Sequence, residues 1–198
     1  MGGERLGRAT IGPLGIDGDR IVHVENARGR VVSSRTHPKL LGHHGSTDAR
    51  GMPLVDGLEW TDPRVAAAIV ADVGEGARLL RDDSEDRFDV LPLLVATDGA
   101  IAAFGYDGRR LRPNLVIGGV AGLDERTWQG RTLRIGGVVV ELVDLRARCV
   151  MTTFDPDTLE QNPRVLQDIV RRFDGTLALN ARVEQGGNVR EGDRVELL

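Results

Sequence analysis

Cys149 is the only cysteine in a chain of 198 residues. A lone thiol cannot close an intramolecular disulfide, build an iron–sulfur cluster or supply a multi-cysteine zinc site. It can be core filler, a nucleophile, a redox thiol or one ligand to a metal. It follows Arg146-Ala147-Arg148 and precedes Val150-Met151-Thr152-Thr153. Cationic neighbours favour thiolate over thiol, which suits metal ligation or nucleophilic attack. In a regular strand Arg148 and Cys149 face opposite ways, so a bend or bulge is required before Arg148 can approach the sulfur. Free cysteines are also commonly buried and inert, and that reading stays open on these residues alone.

A second constellation is Arg112-Pro113-Asn114, leading into the apolar run 115–117. Proline fixes its own φ and is expected to hold Arg112 extended. An extended backbone then turns Arg112 and Asn114 to one side. A guanidinium beside an amide can hold phosphate, carboxylate or the edge of a heterocycle. A turn capped by Asn114 explains the triplet equally well. Gly18-Asp19-Arg20, ahead of the run 21–25, reads as a tight turn that leaves Arg20 projecting at a strand start, or as a plain surface turn. Asp155-Pro156-Asp157-Thr158 reads as an Asp-Pro turn, since no further oxygen ligands follow at calcium-loop spacing.

Several classes are disfavoured. The four histidines, His23, His37, His43 and His44, lie early in the chain and form no His-Glu-x-x-His arrangement. No Gly-x-Ser-x-Gly elbow and no Walker-type phosphate loop occur. The net charge is −4, with both signs mixed and no basic patch, so nucleic acid is not an expected partner. Lys39 is the only lysine among 26 basic residues. Codon bias explains that excess of arginine, although arginine also offers planar, bidentate donors for anions. No run approaches the roughly 20 apolar residues of a membrane span. The first ten residues are polar and Gly-rich, and a cytoplasmic location is the default expectation.

The elements that must position these residues are mostly strands. Twenty-six glycines punctuate short runs rich in Val, Leu and Ile. The spacing predicts strands at 31–35, 93–97, 115–117, 132–135, 138–145, 150–154, 176–183 and 194–198. Gly136-Gly137 joins two of them as a hairpin would, and Gly192-Asp193 launches the last. Asp62-Pro63 and Asn162-Pro163 are helix-start signals before helices at 64–72 and 164–173. In the second, Val165, Leu166, Ile169, Val170 and Phe173 share a face at helical spacing and are expected in the core. A weaker helix is expected at 98–104. The stretch 42–62, rich in Gly, Pro and polar residues, reads as a loop.

In order and spacing these pieces resemble the MOSC family (molybdenum cofactor sulfurase C-terminal domain) with its N-terminal β region. The resemblance is carried by Leu14-Gly15-Ile16-Asp17-Gly18-Asp19-Arg20, by Ser34-Arg35-Thr36-His37-Pro38-Lys39-Leu40 and by Arg112-Pro113-Asn114-Leu115-Val116-Ile117. It continues through Glu125-Arg126-Thr127-Trp128-Gln129-Gly130 and Arg148-Cys149-Val150-Met151-Thr152-Thr153-Phe154-Asp155-Pro156. It implies a mostly β, α+β fold: a small β-barrel with a few peripheral helices, spanning 61–198, after an N-terminal β lobe spanning 1–60. The family's characterised enzymes include the mitochondrial amidoxime-reducing component, which reduces N-hydroxylated compounds with a pterin-based molybdenum cofactor. By that resemblance Cys149 is the molybdenum ligand, and Arg20, Arg112, Asn114, Thr97 and Arg148 are the cofactor-binding residues, with Arg20 at the phosphate. The sequence departs from the family's Thr-x-x-Ser step, having Thr97-Asp98-Gly99-Ala100 there. Three functions are therefore carried forward. The first is a molybdopterin oxidoreductase acting on a small molecule and fed by a separate electron-donor protein. The second is a sulfur carrier loaded by a cysteine desulfurase as a Cys149 persulfide. The third is a non-catalytic binding module on the same fold.

Overall fold

The structure is a computed structural model that describes residues 1–198. In chain order its strands are β1 (Arg8–Gly12), β2 (Gly15–Ile16), β3 (Val22–Glu25), β4 (Val31–Val32), β5 (Gly45–Thr47), β6 (Pro53–Val55), β7 (Leu58–Glu59), β8 (Arg78–Arg81), β9 (Leu93–Thr97), β10 (Leu115–Ile117), β11 (Thr132–Ile135), β12 (Val138–Ala147), β13 (Thr176–Gln185), β14 (Gly187–Arg190) and β15 (Val195–Leu197). The α-helices are α1 (Pro63–Val73), α2 (Asp98–Phe104) and α3 (Arg164–Phe173). The mostly β class expected from the glycine-punctuated apolar runs is what forms.

Contacts divide the chain into two compact units. The first contains Met1–Arg5, Gly18–Arg87 and Phe154–Gln161; the second contains Leu6–Asp17, Phe88–Thr153 and Asn162–Leu198. The expected boundary between 60 and 61 falls inside the first unit, because the chain passes between the units more than once.

The second unit is built on a barrel-like six-stranded sheet in the order β10-β9-β13-β12-β11-β15. β9 and β10 run parallel; the other neighbours are antiparallel. β13 lies inside this order, and Leu177 to Ala181 are all buried. Such a continuous buried run needs cover on both faces. Leu93, Val95, Val140, Leu142, Leu179 and Ala181 form the cluster on one side. Leu177 joins Phe104, Leu111, Val165, Ile169 and Phe173 from the helical side. On α3, Val165, Ile169 and Phe173 are buried as expected, but Val170 is 58% exposed. The apolar stripe is narrower than the sequence pattern suggests.

In the first unit, α1 starts where Asp62-Pro63 says it should. The Asp62 carboxylate accepts from the Arg64 amide. Val65 and Ile69 then pack against Val24, Val32, Leu40 and Val55. The stretch 42–62 is not the expected loop: it contains the three-stranded sheet β5-β6-β7. His43 helps fasten it, with Nδ1 2.6 Å from Asp56 and Nε2 3.1 Å from Asp72. Strands this short carry little periodicity, which is why the pattern missed them. The strand expected over 31–35 likewise shrinks to Val31–Val32.

Candidate functional site

β12 is the strand that delivers Cys149. Its pairing with β13 shifts register between Leu142 and Asp144 and again between Leu145 and Ala147. Across from it Ala178 has φ +67°, a left-handed conformation within a buried strand. These irregularities break the regular alternation of β12 ahead of Arg148 and Cys149. The strand ends at Ala147, and the Arg148 amide donates to the Gly175 carbonyl at 2.8 Å.

The expected strand at 150–154 does not form. Val150–Thr153 is a 3-10 turn, and its threonines explain why. The Thr152 hydroxyl donates to the Cys149 carbonyl at 2.8 Å, and the Thr153 hydroxyl donates to the Val150 carbonyl at 2.6 Å. Local side-chain bonds of this kind replace a strand ladder. Both threonines are buried, so the turn that follows Cys149 is tightly fixed, while Cys149 itself is partly exposed.

The Arg-Pro-Asn turn also departs from expectation. Arg112 is not extended: it has φ +56° and closes the 3-10 turn Gly108–Leu111 in the left-handed region. That conformation is costly for an arginine and persists only where its surroundings enforce it. The Arg112 side chain lies at an exposed position. Asn114 holds β10 in place: its amide donates to the Leu94 carbonyl at 2.8 Å, and its Oδ1 accepts from the Leu94 amide at 2.9 Å.

Arg148 joins the two turns. Its Nη2 donates to the Leu111 carbonyl at 2.7 Å, immediately before Arg112. Its Nε is buried with no hydrogen-bond partner. Burial holds its pKa down to about 10; the charges of Arg146 and Arg112 push the same way, and Cys149 pulls against them. Cys149, Arg112, Arg146 and Arg148 thus share one electrostatic neighbourhood. Arg146 is neutralised on its far side by Asp89 at 2.6 Å and also reaches Asn180 at 3.4 Å.

Two expected ligand residues have other placements. Thr97 is fully buried, and its hydroxyl accepts from the Ala100 amide and donates to Glu125 at 3.2 Å. It caps α2. Arg20 lies in the first unit, in a left-handed turn, with its Nε donating to Asp19 at 2.9 Å. Sequence reasoning passed over Glu125, whose carboxyl is wholly buried, and over Arg110, whose Nη1 donates to the Thr153 carbonyl at 3.0 Å and to the Thr152 carbonyl at 3.4 Å. The Glu-x-x-Trp step was the available signal for Glu125: Trp128 fills the sheet's main core while Glu125 receives Thr97. Nothing in the pattern marks Arg110.

A cysteine turn fastened to an Arg-Pro-Asn turn at the end of a barrel-like sheet defines the class of this protein. Residues 99–196, about half the chain, match the MOSC domain model, and the chain belongs to the MOSC family. Cys149, Arg112, Asn114 and Arg148 fall within the match; Thr97 and Arg20 do not. Mitochondrial amidoxime reducing component 2 of Homo sapiens is 37% identical over 76 residues, covering 35% of this chain and 22% of the human protein. The Macaca fascicularis protein of the same name is 36% identical over the same length. The chain therefore aligns with only about a fifth of these relatives' length. Among solved structures, the YuaD protein of Bacillus subtilis superposes with a TM-score of 0.52 at 14% identity, over 98% of this chain and 86% of that one, and so shares the fold. No helix is long and apolar enough to cross a membrane.

Proposed function

We propose that this protein is a molybdenum-cofactor-dependent oxidoreductase that reduces N-hydroxylated small molecules, with Cys149 as the protein's ligand to the metal. The observation that carries this reading is the fastening of the Cys149 turn to the Arg112-Pro113-Asn114 turn through Arg148. The residues present suit the group. A single partly exposed thiol supplies the soft ligand. The buried Nε of Arg148 is a donor without an acceptor, and such a group is normally satisfied in the working protein. Arg112, Arg148 and the amide of Asn114 would hold the anionic pterin and its phosphate. The names of the relatives, amidoxime reducing components, indicate the substrate class.

When bound, the cofactor supplies two-electron reduction of an N–OH bond: two electrons and two protons enter, and N–H and water leave. The protein's part is to bind, orient and tune. Arg148 and Arg146 bias the site toward anions, and the buried threonine hydroxyls keep the cysteine turn fixed. The electrons would come from a separate donor protein.

The test is metal and pterin analysis of protein purified from a cofactor-competent host, followed by turnover of benzamidoxime with an artificial electron donor. About one molybdenum per chain is expected, and both metal and turnover should be lost in Cys149→Ser. Absence of molybdenum and pterin from the wild type overturns the reading. A mass gain of about 32 Da on Cys149 after exposure to a cysteine desulfurase, without molybdenum, would replace it with a persulfide carrier.

A further inference from the structure

The two turns do not merely meet; each grips the other. A 3-10 turn leaves its last carbonyls without partners inside the turn. Leu111 ends the turn before Arg112, and Thr152 and Thr153 end the turn after Cys149. The Leu111 carbonyl is taken by Arg148, which comes from the cysteine side. The Thr153 and Thr152 carbonyls are taken by Arg110, which comes from the Arg-Pro-Asn side. The exchange is reciprocal: each turn sends one guanidinium to the backbone of the other.

We propose that Arg110 and Arg148 are positioning residues that form one clasp, fixing Cys149 relative to Arg112. Three features support this. Charge-assisted bonds to carbonyls are stronger than neutral ones and, with two in opposite directions, restrain sliding as well as separation. The left-handed backbone of Arg112 requires enforcement from outside its own turn, and the Leu111 carbonyl held by Arg148 lies at the adjoining peptide. The Thr152 and Thr153 hydroxyl bonds are internal to the cysteine turn and fix its shape, and its other anchors, the Asn162 amide on the Thr153 carbonyl and the Arg148 amide on the Gly175 carbonyl, do not reach the Arg-Pro-Asn turn. Arg110 acts through backbone carbonyls and has no ligand role in the reading above. Only the consequence for turnover rests on that reading.

The clasp is tested on the full chain without cofactor, by amide hydrogen exchange in peptides covering 108–117 and 146–153. Arg110→Met should speed exchange at least tenfold in both peptides, more than its fall in melting temperature accounts for and more than in peptides elsewhere in the chain. Arg148→Met should do the same, and the double variant should exchange no faster than the faster single one, because a latch opened once is open. Arg81→Ala, which removes an arginine from a surface pair in the first unit, should leave both peptides unchanged. If Arg110→Met loosens only its own peptide, or if the two effects multiply, the clasp is wrong. Arg110→Met decides the matter alone should Arg148→Met fail to fold. In cofactor-loaded protein, Arg110→Met should lower kcat at least tenfold with KM within about twofold. Loss of the metal reading leaves the exchange result standing, so the two proposals fail separately.

Discussion

Arginine does different work in the two compact units. In the first, several arginines pair with a nearby carboxylate: Arg20 with Asp19, Arg64 with Asp62, Arg78 with Glu25 and Arg81 with Asp83. Arg87 of the same unit instead donates to the Asp83 and Ser84 carbonyls. In the second unit the part-buried arginines close the ends of helices and turns. Arg172 donates to the Ala103 and Phe104 carbonyls at the end of α2. Arg126 donates to the Phe173 and Thr176 carbonyls beyond α3. Arg110 and Arg148 do so at the candidate site. Exposed ion pairs contribute little net stability, because solvent screens them and ordering two long side chains opposes them. A buried carbonyl left without a donor is expensive. The second unit has surface pairs as well, such as Arg171 with Asp168 and Arg182 with Glu141, so the contrast lies between arginines on exposed carboxylates and arginines on backbone carbonyls, the latter concentrated in the second unit.

The comparison breaks first at Arg126. Arg126→Met leaves the Thr176 carbonyl and hydroxyl short of a donor and takes one of two donors from the Phe173 carbonyl, which keeps the Thr176 hydroxyl. A loss of about 2 kcal/mol is expected, a fall of roughly 4–8 °C in melting temperature for a domain of this size. A change within error in thermal denaturation would show that carbonyl closure by arginine is as dispensable as a surface pair.

Glu125 sharpens the contrast from the acidic side. Burial pushes its carboxyl above the ordinary glutamate range, and its Oε1 has no partner. A folded pKa above the unfolded one means the native state holds more protons in between. Its contribution to stability is full below the unfolded value and declines as pH rises through the folded one. Glu125→Gln keeps an oxygen for Thr97 and carries no charge. The variant should match the wild type in urea denaturation near pH 4 and exceed it increasingly toward neutrality. A constant difference across that range would place the ionisation elsewhere. The smallest effect belongs to the surface: Arg81→Ala, which removes the Asp83 pair, should leave the urea midpoint unchanged. A clear loss there would erase the distinction between the units.

Much of the fold was legible because the long strands are strongly patterned. Runs 93–97, 115–117 and 132–135 match β9, β10 and β11 to the residue, and α2 spans the expected 98–104. The misses share a cause: tertiary or local bonding overrode pattern. The 150–153 turn is set by two threonine hydroxyls, β5 to β7 are too short to show alternation, and Val170 lies off the buried stripe. At the candidate site, Cys149, Arg112, Asn114 and Arg148 stand out as residue types in the sequence, whereas the bonds of the Thr97 hydroxyl to the Ala100 amide and Glu125 do not.

By itself the sequence determined that a lone cysteine follows two arginines at the end of an apolar strand, that an Arg-Pro-Asn triplet precedes another strand, and that the chain is mostly β. Those facts live in residue types and periodicities, which short-range sterics translate directly. Only the tertiary structure decided that Arg112 is left-handed, that Asn114 and Thr97 hold backbone, and that Arg110 belongs with Cys149. Residues 110 and 153 are joined by a guanidinium and a carbonyl. Every residue has a backbone carbonyl, so no pattern in the sequence marks the one a distant arginine will find.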